Sequence, residues 1–340
     1  MRAGARLRVG AGAALAITAL LAAGCGEKEE RTGQAEAEPF ELALDFYVNP
    51  DHAGIYTALE DGLFERAGLD VTPRVPSDPS APIRLVAAGR ADLAISYEPE
   101  VLIARDQGLP VVAVAALVDR PLSSLISLPE ARIADAADLR GKTIATAGIP
   151  YQTAFLDAIL EEERIPREEV EQVDVGLGLL PAVLSGEADA MLGGFLNIEG
   201  VDLTERGRDP RVVPVDELGI PTYDELVLVA SEDTVAEDPE AIRLFIAALE
   251  SGTEAAAEDQ AAAARTILDA GDGLDPDLTR AEVDATLPLL QGESGKRPFG
   301  YMSAREWQEF AGFLADRGVI AARDATGALT NELLPGEIPE

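Results

Sequence analysis

The chain has 340 residues, of which 62 are acidic and 27 basic, giving a formal net charge of −35. So acidic a surface repels nucleic acid, which needs basic patches, and reads most simply as solubility outside the cell. One histidine and one cysteine cannot build a His/Cys zinc site, and neither G-x-S-x-G nor G-x-x-x-x-G-K occurs, so hydrolytic chemistry, ATP-driven chemistry and a bound cofactor are not expected.

Residues 1–25 read as a secretory signal peptide. Arg2, Arg6 and Arg8 give a basic start, and "AGAALAITALLAAG" is an apolar run too short to span a membrane comfortably. The ending "LAAGC" is similar to a bacterial lipoprotein box, with Ala22 where Leu is usual and Leu21 one place earlier. That similarity implies lipidation of Cys25 and an extracytoplasmic protein anchored to the outer face of the cell membrane. Residues 26–39, polar and charged, are expected to form a flexible tether.

From residue 40 strand and helix patterns alternate. "FELALDFY" is a strand, "AGIYTALEDGLFERAG" a helix, "LDVTPRVP" a strand, "SDPSAPIRLVAAG" a helix and "ADLAIS" a strand. The plan restarts with "GKTIATAG", "YQTAFLDAILEEERI", "VEQVDVG", "LLPAVLSG" and "ADAMLGGF". "LVAAGRADLAIS" and "AVLSGEADAMLG" match at Val86/Val183, Gly89/Gly186 and Asp92/Asp189, so two lobes of one design are expected. After "ELVLVAS" the chain is helical: 238–268 as one helix or two, then 278–290 and 303–320. On the last, Trp307, Phe310, Phe313 and Leu314 share a face expected to pack on the sheet. The fold class is α/β with mostly parallel sheets.

Ligands of open α/β sheets bind at the carboxyl ends of strands. Four segments fall there: 45–53, 96–100, 147–153 and 193–200. The whole chain is only 5% aromatic, yet Phe46, Tyr47, Tyr97, Tyr151 and Phe195 gather in these segments with Asp45, Asn49, His52, Glu98, Asn197 and Glu199. Aromatic faces with a few directed polar groups suit a small planar ligand. The four segments hold no Lys or Arg, which disfavours an alkanesulfonate, taurine or nitrate-like anion. His52, where a helix begins, is placed in the pocket.

"DFYVNPDHAGIYTALEDGLFERAGLDV", "LVAAGRADLAISYEPE", "GLPVVAVAALVDRPLSSLISL" and "YDELVLVAS" resemble the substrate-binding proteins of the NMT1/THI5-like group. Within that group the resemblance is to the bacterial branch that binds hydroxymethylpyrimidine or formylaminopyrimidine, thiamine precursors. It implies a two-lobed periplasmic-binding-protein (type II) fold over roughly 40–325, with lobe one at 40–127 and 226–340, lobe two at 128–225, and a ligand cleft between them. It further implies a monomer that closes by hinge motion and delivers its ligand to an ABC permease. The branch's N-x-x-H matches Asn49 and His52, its Tyr matches Tyr97, its N-x-E-G matches Asn197, Glu199 and Gly200, and an aromatic before "ELVLV" matches Tyr223. Glu199 would meet the amino edge of the ring, with Tyr47, Tyr97, Phe195 or Tyr223 stacked on it. The group also holds a pyrimidine synthase with Lys and His after the third strand and a Cys-rich motif. Here those positions are Tyr97 and Val101 and the motif is absent, which argues against an enzyme.

Overall fold

The computed structural model describes residues 37–290 and 297–336. The expected signal peptide, Cys25 and most of the tether lie outside the described residues.

The first strand, β1 (Glu38–Ala43), starts inside the expected tether. It is followed by a 3-10 turn at Pro50–His52, then α1 (Ala53–Glu60), α2 (Leu63–Arg66) and β2 (Leu69–Arg74). Next come α3 (Pro82–Ala87), β3 (Leu93–Ser96), α4 (Glu98–Asp106) and β4 (Val111–Val118). The middle of the chain carries β5 (Ser123–Ser127), β6 (Thr143–Thr146), α5 (Pro150–Glu162), β7 (Glu171–Asp174), α6 (Leu179–Ser185), β8 (Ala190–Phe195), α7 (Glu199–Glu205) and β9 (Arg211–Pro214). The last strand, β10 (Leu226–Ser231), leads into α8 (Glu232–Glu237), α9 (Pro239–Glu258), α10 (Gln260–Ala270), α11 (Pro276–Leu290) and α12 (Ala304–Asp316).

Two five-stranded sheets result, ordered β2-β1-β3-β10-β4 and β7-β6-β8-β5-β9. In each, the first three strands are parallel and the fourth runs antiparallel to its neighbours. The orders coincide position for position, and β3 and β8, the pair the sequence repeat picks out, both stand third. The expected two-lobed α/β fold is therefore present.

The lobe boundary differs from the expected one. β5 pairs with β8 and β9, so the chain first crosses between sheets at 119–122, before 127 rather than after it. An apolar run interrupted only by "DRP" conceals that crossing in the sequence. It returns between β9 and β10. Glu225 ties the two crossings together: Oε2 accepts from the N–H of Leu122 and Ser123 and from the Tyr223 hydroxyl, each at 2.8 Å, and Oε1 from Ser123 Oγ at 3.0 Å.

Other boundaries shift for local reasons. β1 ends at Ala43, not Tyr47, because the chain leaves the sheet as the ligand loop. The expected helix 53–68 breaks at Gly62, whose φ of +63° ends α1. The loop expected at 96–100 shrinks to Tyr97, since Glu98 already opens α4 with Pro99 in its first turn. The run 238–268 is two helices, parted at Asp259, which caps α10 through the Ala262 N–H at 2.9 Å. α9 lies close enough to α1 that a Cβ on Gly252 would sit 2.4 Å from Gly54 O. Phe245 of α9 stacks on Phe40 and Phe64 at 5.3 and 4.8 Å, filling the first lobe's core.

The aromatic face of α12 is buried as expected but meets different partners. Rather than the sheet, it meets α4, the second crossing and the second lobe. Trp307 Nε1 donates to Asp224 Oδ2 at 2.6 Å, and the Phe310 ring lies 5.0 Å from Tyr223 and 6.2 Å from Phe155 of α5. A second bridge joins α7 to the opposite lobe. Asn197 Nδ2 donates to Asp51 Oδ1 and to Thr286 Oγ1 of α11, both at 2.8 Å.

Candidate functional site

The loop leaving β1 is folded by its own polar groups. Asn49 caps the 3-10 turn, its Oδ1 accepting from the Asp51 N–H at 2.8 Å, while His52 Nδ1 accepts from the Asn49 N–H at 3.3 Å. That acceptor role leaves the imidazole proton on Nε2, which donates to Asp45 Oδ1 at 2.9 Å. Tyr97, the residue between β3 and α4, donates its hydroxyl to Asp45 Oδ2 at 2.9 Å. Asp45 is thus fixed from both sides, by a buried histidine behind it and a buried tyrosine beside it.

The second lobe supplies the facing wall. Glu199 opens α7, and its Oε2 accepts from the Phe195 N–H at 2.7 Å. Burial pushes its carboxyl up to about 7, against the pull of those backbone N–H groups. Tyr151 stands on the first turn of α5 with its ring 5.7 Å from Tyr97 across the lobes. Phe46 and Tyr47 contact each other at 4.6 Å on the first lobe's side. Burial raises the hydroxyls of Tyr47, Tyr97 and Tyr151, so all three stay neutral donors.

These side chains enclose one cavity between the lobes, which with its mouth holds ≈ 420 Å³ of empty space. Of the residues expected at the site, Asp45, Tyr47, Asn49, Tyr97, Tyr151, Phe195 and Glu199 line it. Four do not. His52 is fully buried behind Asp45 as a positioning group. Glu98 is turned toward the second crossing, its Oε2 accepting from the Asp224 N–H at 2.8 Å. Asn197 is spent on the bridge to Asp51 and Thr286. Tyr223 donates to Glu225 and is packed between Phe155 and Phe310, so its ring has no face left for a ligand.

Sequence reasoning passed over Gln152, Ile149, Leu179, Gly193 and Ile198, which complete the wall. Gln152 lay inside a segment already placed at the site, but a lone glutamine carries no pattern. Gly193 carried a usable signal, a glycine interrupting a strand.

Chemically, the lining offers two carboxyl groups, two side-chain amides, flat aromatic faces and no cation. Such a wall repels an anion and receives a planar molecule rich in N–H donors. Among the lining residues no serine, cysteine or lysine stands ready as a nucleophile. Among the described residues no group of three or more His, Cys, Asp or Glu could hold a metal ion.

A profile of the NMT1/THI5-like family matches residues 49–263, which carry most of both walls. The chain belongs to the NMT1/THI5-like family. This NMT1/THI5-like chain is 34% identical to the formylaminopyrimidine-binding protein of Halalkalibacterium halodurans, across 93% of the present chain and 98% of that one. It is 25% identical to a 4-amino-5-hydroxymethyl-2-methylpyrimidine phosphate synthase of Saccharomyces cerevisiae, across 87% and 88% of the two chains. Among solved structures, the alkanesulfonate-binding protein of Xanthomonas axonopodis pv. citri shares the fold at a TM-score of 0.69 and 17% identity, covering 87% of this chain and 99% of that one. The fold is that of the periplasmic binding proteins. The chain is a solute-binding protein and not an enzyme.

Proposed function

We propose that this protein captures a pyrimidine precursor of thiamine, hydroxymethylpyrimidine or formylaminopyrimidine, outside the cytoplasm and presents it to an ABC importer. The observation that carries the reading is Glu199, a buried carboxyl in an aromatic cavity with an affinity for protons close to neutrality. An aminopyrimidine places an exocyclic N–H beside a ring nitrogen. A carboxyl that holds or shares a proton near pH 7 accepts from the first and donates to the second. Tyr97 and Tyr151 from opposite lobes, with Phe195 and Tyr47, provide faces for the ring. The name of the Halalkalibacterium halodurans relative supports the same class of ligand. The absence of any cation from the wall favours a pyrimidine over a sulfonate, although the sulfonate-binding protein shares the fold.

Anchoring through lipidated Cys25, a monomeric state and a permease partner complete the proposal. Closure would be read by the permease as a shape, with the Asn197 bridge present in one arrangement of the lobes and absent in the other. Two variants test the proposal. Glu199→Gln, titrated calorimetrically with each pyrimidine, should lose about 1–3 kcal/mol of binding; undiminished affinity removes Glu199 from the site. Cys25→Ser should leave the membrane fraction, and a variant that stays there refutes the anchor.

A further inference from the structure

We infer that Gln152 is a specificity-determining residue of the cavity, presenting an amide N–H donor that only a ligand with a hydrogen-bond acceptor on the facing edge can satisfy. The inference rests on the pyrimidine reading above and adds to it a second recognised edge.

The orientation of this amide is set by its surroundings. Gln152 is in the first turn of α5, and its side chain reaches back so that Oε1 accepts from the Ala147 N–H at 2.8 Å. A backbone N–H faces an acceptor, so the oxygen occupies that side and the NH₂ group the other. Nε2 lies against Gly193, where a Cβ would come within 2.2 Å of it. Gly193 has a φ of +95°, a conformation suited to glycine, and both residues line the cavity. Only 2% of Gln152 is exposed, and among the described residues Nε2 has no acceptor. Nε2 stands at the cavity surface, and a ligand that displaces water from it leaves a costly unpaired donor unless it supplies the acceptor. Apart from the hydroxyls of Tyr47 and Tyr151, every other polar side chain of the lining is a carboxyl, which accepts from N–H donors, or is engaged with its neighbours. The wall thus sorts ligands by two edges: donors toward Glu199, an acceptor toward Gln152. A purely apolar aromatic or a ligand with donors alone leaves the amide unpaired. Two acceptors fit the proposed class, a ring nitrogen common to both pyrimidines and the oxygen of the substituent that distinguishes them.

The test is Gln152→Glu, which keeps an acceptor for Ala147 and replaces the NH₂ with a second oxygen of the same shape. Calorimetric titration of wild type and variant with hydroxymethylpyrimidine and formylaminopyrimidine at about pH 7.5 should show a loss of roughly ten- to hundred-fold. At about pH 5 the new carboxyl, protonated in its buried position, can donate, and the deficit should shrink relative to wild type. Equal losses for the two ligands identify the ring nitrogen; unequal losses identify the substituent oxygen. Gln152→Leu serves as a second variant, expected to weaken both ligands at either pH without recovery. Wild-type affinity in Gln152→Glu at pH 7.5, or a deficit that does not shrink at pH 5, overturns the inference while leaving the pyrimidine reading intact. A wild-type protein that binds neither pyrimidine overturns both.

Discussion

The single histidine shows how position in a sequence and role in a structure can part company. His52 falls where ligand loops gather, yet it is 0% exposed and touches Asp45 instead of the cavity. Its contribution is to hold a carboxylate in place from behind, with Nδ1 occupied by the Asn49 N–H and Nε2–H on Asp45. His52→Leu should therefore leave Asp45 with a single side-chain donor and expose the Asn49 N–H to an apolar group. We expect a loss of about 1–3 kcal/mol of folding stability in urea melts, accompanied by weaker ligand binding. A variant as stable as wild type would contradict the positioning role. Seven of the eleven expected ligand residues do line the cavity, because aromatic and acidic types at strand ends carry a strong local signal. Of the four that do not, His52 and Tyr223 are turned to near neighbours, Asp45 and Glu225, while Asn197 and Glu98 are drawn toward partners distant in the chain, which a sequence cannot display. Asn197 reaches Asp51 146 positions away, and Glu98 reaches Asp224 126 positions away.

At the scale of elements, the connections between lobes matter more than the sheets. Glu225 clasps the two crossings, α12 lays aromatic rings over the second of them, and the Asn197 bridge fastens α7 to the first lobe near α11. Most strands and most helices were legible from alternation and helical spacing, but β4, β5 and β9 were passed over. The first crossing was not legible, since in "VVAVAALVDRPLSSLISL" only the short "DRP" marks the place where β4 leaves one sheet and β5 joins the other. The helix α4 was hidden by Pro99, which reads as a loop residue but is at home in a helix's first turn. Asn197→Ala tests the bridge directly. It removes two hydrogen bonds that exist only when the lobes are together, so ligand affinity should fall by about 1–3 kcal/mol through a faster off-rate. Unchanged dissociation kinetics would mean that the bridge does not contribute to holding the lobes shut.

The whole molecule carries its acidity inward as well as outward. Burial raises Glu100, Glu199, Asp224 and Glu225 to about 7 and Glu282 to about 8. Unfolding exposes these groups to water, where their ordinary values are lower, so the folded chain binds more protons between pH 5 and 7 than the unfolded chain does. Their contribution is complete below the unfolded values and is lost as the pH rises through the folded ones. Thermal melts should accordingly show a higher Tm at about pH 5.5 than at about pH 8; a rising Tm over that interval would contradict the burial-driven shifts. The sequence made the acidity plain but not its interior share, because composition counts carboxyls without saying which are dry.

The central claim is that a cation-free aromatic cavity with Glu199 at one edge receives an aminopyrimidine. The measurement that tests it most directly is calorimetric titration of the purified wild-type protein with hydroxymethylpyrimidine, formylaminopyrimidine, thiamine and an alkanesulfonate. Saturable binding of one or both pyrimidines, with no heat from the alkanesulfonate, is the predicted result. Binding of the alkanesulfonate with no response to either pyrimidine would contradict the account, and the site would then have to be sought outside the cavity lined by Asp45 and Glu199.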